Sequence, residues 1–252
     1  MYKNIILSFL FGLLLFSLMN CTSSKSLTHT KSITSIDYQV EESKKVADSI
    51  LKEVESKPSG IERNSTMASI KKMENPPPSF YRLIIKDEKS KTEYKEALQK
   101  EESGDLIYTS MPFHDVEGYN FKDSTALYMD YSSIKSGAYM KIPKQKFQWQ
   151  KTDRDSVIQG IKVDLRIGRN ENSIIKAWIT KEFDSNLNIH DIYNPEGFVL
   201  AYELIKENHE IYKKSQLKVS PERIKKTNKD FNIPEFEKEY SQEEIFKLYQ
   251  ND

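Results

Sequence analysis

Apolar and charged residues alternate without error through Ile161-Lys162-Val163-Asp164-Leu165-Arg166-Ile167. That period of two predicts an antiparallel strand with its four aliphatic side chains on one sheet face. Gly168 to Ser173 is small and polar, so Ile174 to Thr180 is expected to return as the second strand of a hairpin. Pro195-Glu196-Gly197 breaks the chain, and Phe198 to Ile205 resumes as a third strand. Lys144 to Lys151, with Phe147 and Trp149 two apart, leads into this block.

Upstream, Ile33 to Val40 reads as a first strand. Between Glu41 and Lys57 the period changes: Val46, Ile50, Leu51 and Val54 recur at helical spacing, and Pro58-Ser59-Gly60 ends the stripe. A shorter helix over Thr66 to Met73 is stopped by Pro76-Pro77-Pro78. Strands follow at Phe80 to Lys86, Ser90 to Leu98, Leu106 to Ser110, Ala126 to Tyr131 and Ala138 to Ile142, with a loop from Met111 to Ser124; a helix rivals the strand over Tyr94 to Lys100. Glu210 to Val219 is a polar last strand closed by Ser220-Pro221, and Ser241-Gln242-Glu243-Glu244 is a capping box that opens a short helix through Tyr249. The expected fold is α+β and mostly antiparallel β, a curved sheet or half-barrel with one or two N-terminal helices packed on it. Residues 33–220 form one domain with a helical insertion at 41–75, and 221–252 is a polar extension that lies along the surface or frays.

Charge changes this picture little. Charged residues make up 30% of the chain and balance at net zero, which removes the electrostatic case for a nucleic-acid partner. The N-terminus changes it more. Lys3, the apolar run Ile5 to Leu18 and polar Asn20 have the order of a secretory signal over residues 1–20, with a core too short for a comfortable membrane span. Cys21 is the one cysteine in the chain, so no intramolecular disulfide can staple the fold. Leu18-Met19-Asn20-Cys21 resembles a bacterial lipobox, which makes Cys21 the lipidated first residue and residues 21–32 a flexible tether. An uncleaved anchor with an incidental cysteine is the other reading. Thr22 rather than Asp after Cys21, by resemblance to enterobacterial sorting, favours the outer membrane; the late first acidic residue, Asp37, by resemblance to exported Bacteroidetes lipoproteins, favours the periplasmic face.

The order of motifs resembles the GLPGLI proteins of Bacteroidetes. Tyr38, the run Phe80 to Ile85 followed by Ser90, Phe147-Gln148-Trp149 before Ile158-Gln159-Gly160, and Ala177-Trp178 are similar to that family's successive elements. The eponymous motif falls on Asn194-Pro195-Glu196-Gly197-Phe198-Val199-Leu200, where Gly197 and the apolar run match while Asn194 and Glu196 depart from the pattern. The resemblance implies a secreted or lipid-anchored β-rich fold, akin to the half-barrel of lipoprotein carriers such as LolA, and no catalytic residue.

Chemistry-bearing residues are scattered. His29, His114, His190 and His209 lie at no metal-ligand spacing, and the neighbours His114-Asp115 and His190-Asp191 are the nearest approach to a base with an orienting acid. Ser132 to Lys135 matches Ser-x-x-Lys, but in a turn without helical pattern. No cofactor is implied. What remains is a cleft on the concave face, with Trp149, Trp178, Phe198 and Tyr202 as candidate lining, although aromatic residues more often serve as plain core. The sequence therefore supports a non-enzymatic envelope protein that binds an apolar ligand or partner segment in that cleft. The alternative is a scaffold or accessory subunit of an outer-membrane complex that reads a strand edge.

Overall fold

The computed structural model describes residues 33–95, 116–207 and 212–250, and these form one open, twelve-stranded sheet and three helices. In chain order the elements are β1 (Ile33–Val46), α1 (Asp48–Ser56), α2 (Ile61–Glu74), β2 (Ser79–Lys86), β3 (Lys89–Lys95), β4 (Glu117–Phe121), β5 (Ala126–Asp130), β6 (Ala138–Pro143), β7 (Gln148–Ile158), β8 (Ile161–Arg169), β9 (Ser173–Thr180), β10 (Phe198–Glu207), β11 (Tyr212–Thr227), β12 (Lys238–Glu239) and α3 (Gln242–Gln250). The spatial order is β12-β6-β5-β4-β3-β2-β1-β11-β10-β9-β8-β7. All neighbours are antiparallel except the two-residue β12, which pairs parallel to β6.

Connectivity forces the sheet to curl. β6 and β7 sit ten strand positions apart, which in a flat sheet is about 48 Å. Yet Pro143 and Gln148 are joined by four residues, a link that reaches at most about 18 Å. The two ends of the sheet must therefore approach each other, and the link is tied across the gap by a parallel bridge between Gln145 and Ile192.

Three expectations change. Glu41 to Val46 belongs to β1, not to a helix, because it pairs with β11 as far as Tyr212; the helical stripe begins at Asp48. Val46, Val54 and Ile70 then make a small core of their own, with Ile50, Leu51, Met67 and Tyr212 around it. β4 lies within the stretch expected to be a loop. Its paired positions Gly118 and Asn120 carry no aliphatic side chain, so there was no period to read. β11 does not stop at Pro221 but continues to Thr227, since the proline falls at a register shift opposite Tyr38, where a missing N–H is tolerated. The candidate strand Leu106 to Ser110 lies outside the described residues, as do Cys21, His29, His114 and His209.

The polar extension straps the convex face. Lys86 pairs with Asp230, Lys229 Nζ donates to Glu93 at 2.7 Å, and Phe231 and Phe236 lie 6.4 and 5.8 Å from the Tyr119 ring. Beyond it, α3 opens with the expected capping box: the Glu244 N–H donates to Ser241 Oγ and the Ser241 N–H to Glu244 Oε2.

Candidate functional site

The concave face divides into two regions. Across β1, β2 and β8 to β11 it is filled by the long β9–β10 connection, whose Leu187, Ile189 and Ile192 join Ile36, Tyr38, Leu83, Ile175 and Phe198 in one core. The connection is anchored through its backbone. Ser90 Oγ, Asn120 Nδ2 and Thr92 Oγ1, from β3 and β4, donate to the carbonyls of Leu187, Asn188 and Ile189 at 3.0, 2.7 and 3.4 Å. Asn188 completes the plug from within: its Nδ2 donates to the Ser185 and Ile192 carbonyls and its Oδ1 accepts the Val199 N–H, all within 2.9 Å. All but the half-buried Ser185 carbonyl would otherwise be buried polar groups in want of a partner.

Lys144 fixes the same plug from the β6–β7 link. Its buried ammonium donates to the Asn186 carbonyl at 2.6 Å and the Ser124 carbonyl at 3.2 Å, and burial lowers its pKa to about 8. Arg166, also buried, reaches Glu196 with both Nε and Nη2 at 3.1 and 2.9 Å. This pair marks a departure from the sequence pattern. On β8 Ile161 and Val163 are buried but Leu165 and Ile167 only half so, while Arg166 and Gly168 are buried between them; the strand changes the face it covers midway.

The four aromatic residues expected to line a cleft are not brought into one. Phe198 and Tyr202 are core side chains under the plug. Trp149 lies over Gly168, where an added Cβ would come within 2.9 Å of its ring, and donates its indole N–H to the Tyr193 carbonyl. Trp178, half-buried, alternates with buried Ala177 and Ile179 on β9 and packs at the margin of the same core. Tyr202 instead bonds His190 Nδ1, and the imidazole packs edge-on against Tyr81 as well. Burial pushes the His190 pKa down and the Tyr202 pKa well up, which keeps both neutral. Asp191 accepts from Gln145 Nε2, not from His190. Ser132 Oγ donates to Asp130 in a turn, and the Lys135 ammonium lies over the Tyr240 ring, so the Ser-x-x-Lys match assembles no nucleophile. Among the described residues no group of His, Cys, Asp and Glu is placed to hold a metal, and no helix is long and apolar enough to cross a membrane.

At the β5–β6 end the plug gives way to α3. Here Tyr131, Ala138, Val116, Tyr240 and Ile245 form a second, smaller core, with Met129, Met140 and Leu248 against it. The packing leaves two adjoining hollows, of about 660 and 510 Å³, which share Tyr131, Met140 and Gln242. Met129, Ile142, Pro143 and Tyr240 line the first; Ile245, Phe246 and Tyr249 line the second. Phe246 is 61% exposed, an unusual position for a phenylalanine. Sequence reading missed this groove because its walls are methionines on two short strands and a helix more than a hundred residues downstream. The one available signal was Phe246, an aromatic on the polar side of the capping-box helix.

No family model matches the chain, and no curated protein matches it. Among solved structures it is similar to two crystal forms of PNGF-II, each at 11% identity and a TM-score of 0.46, covering 87% and 86% of this chain. The chain spans 33% of the length of that protein, and likeness at this level carries neither kinship nor function across.

Proposed function

We propose that this protein is a non-enzymatic, lipid-anchored envelope protein that holds an apolar chain in the groove between α3 and β5–β6. The groove carries the reading. Its two hollows of about 660 and 510 Å³ have the dimensions of ligand sites, and the flexible thioethers of Met129 and Met140 suit a ligand of variable shape. The address comes from the lipobox-like residues before Cys21, which make it an outer-membrane lipoprotein facing the periplasm, and from the likeness to GLPGLI proteins. The proposed ligand seat lies away from Trp149, Trp178, Phe198 and Tyr202.

The test is titration of the methionine-methyl-labelled protein with dodecanol. Movement of the Met129 and Met140 signals, lost in a Phe246→Ser variant of unchanged circular dichroism, supports the groove; unmoved methyls overturn it. Mass spectrometry of the mature N-terminus decides the anchor, since an intact precursor with an unmodified thiol defeats it. The scaffold alternative draws less support, because the β7 edge presents Lys151, Asp153, Arg154 and Asp155 and a bulge between Lys151 and Asp155, features that discourage strand addition. A stoichiometric protein partner recovered from native membranes would favour it instead.

A further inference from the structure

The buried hydroxyls of Ser90, Thr92 and Tyr202 are each bonded within the chain, and those of Ser35 and Tyr38 are sealed in without a partner. Tyr131 belongs to neither group. It is 1% exposed yet lines both hollows, and among the described residues its hydroxyl neither meets a hydrogen-bond partner nor is sealed off. It therefore opens on the groove. The residue is fixed there: its N–H donates to the Ala138 carbonyl at 2.9 Å, its carbonyl accepts from the Ile134 and Lys135 N–H groups at 2.9 and 3.1 Å, and its ring packs with Val116, Ala138, Tyr240 and Ile245. Burial pushes the phenol up to about 12, so it keeps its proton and can donate.

Charge at the groove is already answered. Of the charged side chains lining the hollows, Lys141 pairs with Glu239 at 2.8 Å and Glu243 with Lys247 at 2.7 Å, while Lys135 and Lys238 lie over the Tyr240 ring. A ligand group that reaches Tyr131 leaves water behind, and a charged group does so at a far greater cost than a neutral one. An alcohol would bring an O–H that needs an acceptor of its own, whereas a carbonyl oxygen needs only a donor. Resting on the groove reading above, we infer that the ligand is an acyl chain in ester or amide linkage, its uncharged carbonyl accepting from the Tyr131 hydroxyl and its alkyl part lying along Met129 and Met140.

The experiment titrates the full chain, and its Tyr131→Phe variant, with methyl decanoate and with decanoate, following the Met129 and Met140 methyl signals and the infrared carbonyl stretch of the bound ester. In the native protein the stretch is expected below that of the ester in hexane, and the methyl ester should bind more tightly than the carboxylate. Tyr131→Phe, which keeps the ring and loses only the hydroxyl, should weaken the ester about fivefold and return the stretch to its hexane position. Tighter binding of decanoate, or an ester affinity and stretch unmoved by the substitution, overturns the inference and leaves the groove reading standing. If the variant does not fold, an ester stretch at the hexane position in the native protein overturns it equally. Failure of methyl decanoate, decanoate and dodecanol alike to move either methyl overturns both.

Discussion

The same curled sheet is filled in two ways. Under β1, β2 and β8 to β11 the filling is a loop whose carbonyls at Leu187, Asn188 and Ile189 are met by side-chain donors of the wall and whose aliphatics are buried to the last few per cent. Under β5 and β6 it is a helix that carries its own capping box and its own ion pair between Glu243 and Lys247, and touches the sheet through a handful of side chains. A loop satisfies only part of its backbone internally and borrows the remaining donors from the wall, which draws it tight. A helix satisfies itself and can sit loosely. Tight filling makes core; loose filling leaves the groove.

That contrast is sharpest at Asn188. Replacing it with Ala strips three hydrogen bonds from the plug and leaves the Ile192 carbonyl and the Val199 N–H buried without those partners. The expected loss is about 4 kcal/mol, read as a fall in the urea midpoint with an unchanged slope. Gly168→Ala is next, at about 2 kcal/mol, because its Cβ would stand 2.6 Å from Ile175 and 2.9 Å from Phe147 and Trp149.

Titration separates the regions further, since His190 and Lys144 both touch the plug. The His190 pKa lies below the ordinary 6.5, so the unfolded chain takes up the proton first. Stability is then fully present above pH 6.5 and is lost as pH falls below it, a slope that His190→Gln should remove. Burial holds Lys144 near 8 against an ordinary 10.5. The unfolded state again binds more protons between those values, so stability should rise from pH 8 to 10.5, and Lys144→Met should flatten that rise. The smallest effect belongs to the groove. Phe246→Ala is expected to shift the unfolding free energy by less than about 0.5 kcal/mol while abolishing the methyl response to dodecanol.

Much of the fold was legible. Strict alternation over Ile161 to Ile167, the polar turn after it and the break at Gly197 gave β8, β9 and β10 in the right order, and Ser241 with Glu244 gave α3. What alternation does not carry is which face is inside. Arg166 is buried where Glu196, on a distant loop, meets it beside the nearer Asp164, and the position of Glu196 is not encoded in the strand's own pattern. The role of the aromatics was hidden for a related reason: aromatic residues mark burial, and Phe198 and Tyr202 are buried under a connection that reads as mere polar loop from Ser185 to Asp191. Leu187 and Ile189, two apart within it, were the overlooked sign.

One pairing bears on how the molecule comes to exist at all. β1 finds β11 as a neighbour with Ile33 opposite Thr227, partners separated by roughly 190 residues of chain, so the middle of the sheet joins the first strand to one of the last. During synthesis the anchoring of the β9–β10 connection on β3 and β4 can join the two flanks first, whereas the seam between β1 and β11 must wait until Thr227 has left the ribosome.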